Sequence, residues 1–150
     1  MHGRIQRERQ GFGLAAIVLE LSVVAREHFE HPRNVGDLNP NEPDVVEARV
    51  GEPVSGNILQ LHLRTDSQGV ITAVRFKAYG CGWLIACGSL LTQRIADRTL
   101  AEAGHFRHHE LVQQLEIPPA KLHCAVLAET VLKAGLRAFA AKPHPATSTT

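Results

Sequence analysis

The sequence has few cysteines, no excess of charge of either sign and no apolar run long enough to cross a bilayer. Three cysteines is an odd count, and no small-residue cleavage site follows the basic start at residues 1–10. A secreted disulfide framework is therefore not expected. Free thiols in a reducing cytoplasm, serving the core or metal and sulfur chemistry, are the expectation. Lysine and arginine total 16 against 15 acidic residues, a net charge of +1. With no dense basic block, that balance argues against nucleic acid as the partner. The longest apolar stretch, residues 12–25, is broken by Glu20 and Ser22. It is shorter than the ~20 apolar residues of a bilayer span, so no membrane role is expected. No heptad, collagen period or internal repeat is present.

What is present suits one globular domain, since 44% of the 150 residues are apolar, enough for a single core. The expected limits are a flexible extension over 1–11, a domain over 12–140 and a disordered tail over 141–150. Helical spacing of Leu14, Ile17, Val18, Leu21, Val24 and Ala25 predicts a helix over 12–30 that docks on the core. His31-Pro32 stops it, because proline pushes its predecessor out of the α region. Residues 31–43, with three prolines and three asparagines, read as loop.

Three strands are then expected. Residues 45–50 are β-branched and short. Residues 57–65 alternate, with Leu59, Leu61 and Leu63 on one face and Gln60, His62 and Arg64 on the other. Residues 70–79 alternate likewise. Gly51-Glu52-Pro53 is expected to turn the first pair, and Asp66-Ser67-Gln68-Gly69 the second. From Gly82 the period changes to about 3.6. Helices are predicted over 83–95, from a Thr99/Glu102 capping box, over 108–116 and over 121–140. On the last, Leu122, Val126, Leu132, Leu136 and Phe139 are expected near one face. The architecture is α+β: a small three-stranded antiparallel sheet with helices packed on one face.

Three places are chemically suggestive. Cys81 lies between Gly80 and Gly82, where a strand gives way to a helix. The partial positive charge of a helix N-terminus stabilises a thiolate there. Pro118-Pro119 delivers His123 and Cys124 to the start of the last helix, and an imidazole beside a thiol is a soft ligand pair for zinc or iron. Ser55 and Asn57, in a small-residue turn, are weak ligands at neutral pH. Cys87 sits in an apolar run and reads as a core thiol. His105, His108 and His109 read as a solvated helix start, and His28, His31 and His62 as surface residues. A hydrolase built on a Cys81–His123 dyad is chemically possible, but no orienting acid or oxyanion motif accompanies it. The chain is not expected to be an enzyme.

Four ordered segments resemble the iron–sulfur cluster assembly scaffold family of IscU and the NifU N-terminal domain. They are His28-Phe29-Glu30-His31-Pro32-Arg33-Asn34-Val35-Gly36, Gly51-Glu52-Pro53-Val54-Ser55-Gly56-Asn57, Phe76-Lys77-Ala78-Tyr79-Gly80-Cys81-Gly82 and Ile117-Pro118-Pro119-Ala120-Lys121-Leu122-His123-Cys124. The resemblance covers roughly residues 20–140, most of the chain by the domain-size prior. It implies a scaffold that binds iron, a labile [2Fe–2S] cluster or zinc through Cys81, His123 and Cys124. Ser55, Asn57 and Lys121 would be weak or neighbouring contributors, and Cys124 the sulfur acceptor. Residues Ile117, Pro118, Pro119, Ala120 and Lys121 are similar to a chaperone-recognition motif. The implied partners are a cysteine desulfurase, an Hsp70 with its J-type co-chaperone and a frataxin-like protein, around a monomer or homodimer. At the site and in the chaperone-recognition motif, four positions depart from the family pattern: Ser55 replaces its first cysteine and Asn57 its aspartate, and Ile117 replaces leucine and Ala120 valine. A degenerate scaffold that binds partners without assembling clusters is the alternative.

Overall fold

A computed structural model describes residues 20–142. Helix α1, Val23–Glu30, begins at Ser22, whose hydroxyl accepts the Ala25 N–H at 3.0 Å and donates to the Leu115 carbonyl at 2.6 Å. The continuous helix expected over 12–30 is thus interrupted: the serine side chain competes for backbone N–H groups and acts as a cap. Residues 12–19, like the extension expected over 1–11, lie outside the described residues.

Strands β1 (Val45–Glu52), β2 (Asn57–Thr65) and β3 (Ile71–Tyr79) form one antiparallel sheet in the order β1-β2-β3. The β2–β3 hairpin closes at Asp66–Gly69, where Gly69 takes φ +79°, a conformation cheap only for glycine. The β1–β2 turn falls at 53–56 rather than 51–53. Gly51 and Glu52 stay in the ladder, paired with Ile58 and Asn57.

Helix α2 (Gly82–Ile95) lies against β3, and helix α5 (Leu122–Ala141) against β1 and β2. Short helices α3 (Leu100–Ala103) and α4 (His108–Leu115) join them. The Thr99/Glu102 capping box that opens α3 is formed in both directions. Gly88 lets α2 rest on the Phe76 ring: a Cβ there would sit 2.5 Å from two ring carbons.

The apolar stripe of α5 differs from expectation. Cys124, Ala125, Leu127, Ala128, Val131, Leu132, Gly135 and Phe139 are buried, whereas Leu122 and Val126 are 42% and 41% exposed. The inward face is set by contact with β1 and β2 and is narrower than the whole apolar set. Helix α5 also runs through Ala141. Lys142, expected in the tail, donates its ammonium to the carbonyls of Glu42 and Val45. Residues 143–150 lie outside the described residues.

The second face of β2 is buried too. Gln60 is 7% exposed and His62 3%, which corrects the surface reading of His62. The loop after α1 crosses this face. Its Asp37 accepts from Gln60 Nε2 at 3.0 Å and pairs with Lys77 at 2.6 Å. Leu38 N–H donates to His62 Nδ1 at 2.8 Å, which puts the ring proton on Nε2, facing Glu47 at 2.8 Å. Burial of polar groups is tolerable when each finds a partner, and here a loop supplies them. His28 is buried as well, against expectation. Its Nδ1 lies 2.7 Å from the Ser89 hydroxyl, which accepts the Arg33 N–H at 2.9 Å.

Candidate metal centre

The site forms where the open end of the sheet meets two helix starts. Tyr79 ends β3, Gly80 turns the chain, and Cys81 is the N-cap of α2 with extended backbone. Its carbonyl accepts the Leu84 N–H at 3.1 Å and the Ile85 N–H at 3.3 Å. On the other side, Pro118 leads into a 3-10 turn, Pro119–Lys121, which feeds the first turn of α5 and buries Cys124. The two elements bring Cys81 Sγ to 3.6 Å from Cys124 Sγ.

The pair shares one proton unequally. A hydrogen bond from the Cys124 thiol, helped by the Leu84 N–H, the Lys121 charge and the Trp83 N–H, holds Cys81 far below an ordinary thiol, at about 5 despite partial burial. Cys124 is pushed up, first because it is the donor in that bond and then by burial. The local charges and N–H groups thus favour the thiolate form at Cys81 over Cys124. Cys87 is fully buried and pushed up by desolvation, in keeping with its reading as a core thiol.

Asn57 is buried beside the pair, with Nδ2 4.0 Å from Cys124 Sγ. It also explains Gly80: a Cβ there would lie 2.3 Å from Asn57 Oδ1. Ser55 is exposed. Its hydroxyl donates to the Glu52 carboxylate and accepts the Asn57 N–H at 3.2 Å. Lys121 is half-buried and acts on both sulfurs through its charge. Ile117 is buried, while Pro118, Pro119 and Ala120 are exposed.

His123 is half-buried and lines an adjoining groove of about 320 Å³ with Glu52, Leu122, Val126, Leu127 and Thr130. Among the described residues, no three His, Cys, Asp or Glu side chains gather closely enough to hold one metal ion. The physical reason is the regularity of α5 from Leu122 onward. Successive helical residues point ~100° apart, so Cys124 turns inward and its neighbour turns toward the groove. The structure thus unites two of the three residues expected to ligate.

The histidines near α4 behave as a helix start. His108 N–H and Nδ1 lie 2.6 and 2.8 Å from Glu129 Oε1, and the His108 and His109 rings stack at 4.2 Å. Glu129, on α5, carries no sequence signal for this role, because nothing in its own helix marks it as a cap for another. Glu52 reads from sequence as a turn residue; only the strand register reveals that it stands opposite Asn57.

A three-stranded antiparallel sheet, helices on one face and a polarised thiol pair at its end define a small α+β thiol protein. Residues 21–146 match the family model described as the NifU-like N terminal domain. The chain is 40% identical over 116 residues to the iron-sulfur cluster assembly scaffold protein IscU of Haemophilus influenzae, covering 77% of this chain and 92% of that one. It is 42% identical over 113 residues to the IscU scaffold protein of Azotobacter vinelandii, covering 75% and 88%. The crystal structure of a nitrogen-fixing NifU-like protein (N-terminal) from Brucella abortus shares the fold, with a TM-score of 0.64 at 17% identity over 81% of this chain and 95% of that one. The chain belongs to the IscU/NifU N-terminal domain family. Among the described residues, no helix is long and apolar enough to cross a membrane.

Proposed function

We propose that the chain works in iron–sulfur cluster assembly as a scaffold-like carrier, not a catalyst, and that its cargo binds at the Cys81–Cys124 pair. The observation that carries this reading is two sulfurs 3.6 Å apart where the end of β3 and the start of α2 meet the first turn of α5. A thiolate is the form that ligates metal and attacks sulfur. A metal cation arriving at the pair displaces the shared proton, so binding releases it to solvent. Cys81 and Cys124 supply the sulfur ligands. His123 supplies nitrogen once its ring swings from the adjoining groove. Lys121 favours both thiolates, and Cys124, once it has given up the shared proton, is the acceptor of transferred sulfur.

The donor set bears on which cargo fits. Two thiolates and one imidazole suit tetrahedral zinc. A [2Fe–2S] cluster is usually held by four strong ligands, and Ser55 and Asn57 are neutral where the family pattern is anionic. Iron or a labile cluster therefore needs a further donor. The surroundings the reading implies are cytoplasmic: a cysteine desulfurase, an Hsp70 with a J-type co-chaperone and a frataxin-like protein.

Anaerobic reconstitution of the full chain with ferrous iron and sulfide tests the proposal. Thiolate-to-iron charge transfer in the visible spectrum is expected, and loss of it in both Cys81→Ser and Cys124→Ser. A colourless product that also takes up no zinc removes the scaffold role.

A second reading has its own support. The Ser55 hydroxyl is engaged by Glu52 and Asn57, and Pro118, Pro119 and Ala120 form an exposed surface. A chain that keeps this surface without building clusters would act as a partner-binding modulator. Retention of the desulfurase or chaperone by the Cys81→Ser/Cys124→Ser double variant, with no cluster in the parent chain, would favour it.

A further inference from the structure

Cys124 is 0% exposed, so a sulfur donor does not touch its thiol in this packing. Among the described residues, two polar groups lie against that sulfur: Asn57 Nδ2 at 4.0 Å and Cys81 Sγ at 3.6 Å. Asn57 is itself buried, and an amide offers hydrogen bonds but no sulfur chemistry. Cys81 is only partly buried. It stands between two glycines at the junction of β3 and α2, so neither chain neighbour sets a side chain against an incoming group. Cys87 is as deeply buried as Cys124 but, among the described residues, has no second sulfur hydrogen-bonded to it. The fold thus pairs one buried thiol with an open one and leaves the other buried thiol without such a partner.

We propose that Cys81 is the entry thiol for sulfur: it takes a sulfane sulfur from a persulfide donor and hands it inward to Cys124. The inference rests on the sulfur-accepting reading of Cys124 above and names the residue through which that thiol is served. In the first step Cys81 Sγ bonds to the terminal sulfur of the donor. The donor S–S bond breaks, and its electron pair leaves with the Cys81 proton on the donor as a thiol. In the second step Cys124 Sγ attacks the terminal sulfur now carried by Cys81. The Cys81 S–S bond breaks, and the Cys124 proton passes to Cys81 Sγ. The sulfane sulfur keeps its oxidation state throughout, so neither step needs an oxidant or a reductant. Both follow the course of thiol–disulfide exchange, in which one sulfur displaces another. The added atom lies about 2 Å from Cys81 Sγ. With the two Sγ atoms 3.6 Å apart, rotation of the Cys81 side chain carries it to its neighbour.

The test is a time course of the reduced, metal-free full chain with glutathione persulfide, stopped with acid, alkylated after denaturation and mapped by mass. The added sulfur should appear first on Cys81 and then on Cys124, the first signal falling as the second rises. Cys87 should stay unmodified. In Cys124→Ser the persulfide should form on Cys81 at close to the parent rate and stay there. In Cys81→Ser the labelling of Cys124 should slow at least about tenfold, because the donor then waits for local opening of the fold. Sulfur on Cys124 with no earlier persulfide on Cys81 overturns the relay, as does parent-rate labelling of Cys124 in Cys81→Ser. Sulfur that remains on Cys81 in the parent chain overturns it too, and so does labelling of Cys87 as fast as Cys124, since burial would then be no barrier. A parent chain that takes sulfur on neither Cys81 nor Cys124 overturns the sulfur-accepting reading itself, so the two failures are told apart. The order of labelling is read in the parent chain, so the relay stands or falls even where a variant does not fold, and a merely structural role for Cys81 would not produce that order.

Discussion

The two faces of β2 are buried by opposite means. On one, Leu59, Leu61 and Leu63 lie under helices and are at most 1% exposed. On the other, Gln60 and His62 lie under a loop and are held by Asp37, the Leu38 N–H and Glu47. Apolar burial is non-directional and scales with area. Polar burial works only if each group keeps a partner. The helical face can therefore stabilise without specifying the position of any one atom. The loop face stabilises little but fixes where residues 33–39 run. Both bear on the site, because β2 begins at Asn57, whose side chain reaches Cys124.

Truncation on each face should separate these roles. Leu61→Ala is expected to cost about 2–5 kcal/mol, a lost transfer term plus a cavity, read as a lower denaturant midpoint for the whole domain. His62→Ala should cost less, about 1–3 kcal/mol for an orphaned buried donor. Its signature should also be local: faster amide exchange at Leu38 and its neighbours, with the α2 and α5 amides still protected. Equal loss of protection in loop and helices would break the distinction.

The smallest effect on stability concerns the buried polar contact between α1 and α2. Burial and then Arg33 lower the His28 pKa from 6.5. Below 6.5 the unfolded chain therefore takes up a proton that the native state resists. This contribution to stability is intact above 6.5 and falls as pH drops toward the lowered native value. Unfolding midpoints compared on either side of 6.5 should show the decline in the parent chain and a flatter profile in His28→Gln. A rise in stability on acidification through that window would contradict the assignment.

The thiols offer a parallel contrast. Cys81 should alkylate readily at neutral pH, while Cys87, buried and raised in pKa, should stay unmodified in the native chain. In Cys124→Ser the Cys81 pKa should rise, because the alcohol is a different donor at a different length. A pH profile of the alkylation rate that is unchanged by this substitution would show that the Cys124 thiol does not hold the thiolate.

Much of the fold is legible in the residues. Period-two alternation marks β2 and β3, Gly69 marks their turn, and Thr99 with Glu102 marks the start of α3, since each signal is local in the chain. Cys81 stands out because glycines flank it at a strand-to-helix junction, and Cys124 because two prolines precede its helix. The burial of Gln60, His62 and His28 is illegible, because their partners lie 23, 24 and 61 positions away. Gly51 and Pro53 draw the expected β1–β2 turn too early, and so hide the place of Glu52 in the ladder. Adjacency groups His123 with Cys124, and a regular helix converts that adjacency into divergence.

The sequence by itself determined which segments are strands and helices and which residue types carry the chemistry, because propensity, periodicity and capping act over a few positions. Only the tertiary structure decided that Cys81 and Cys124 share a proton at 3.6 Å, that Glu52 faces the same corner as Asn57, and that His123 opens onto a neighbouring groove. Those outcomes depend on strand register and helix rotation, which are set by packing between segments far apart in the chain.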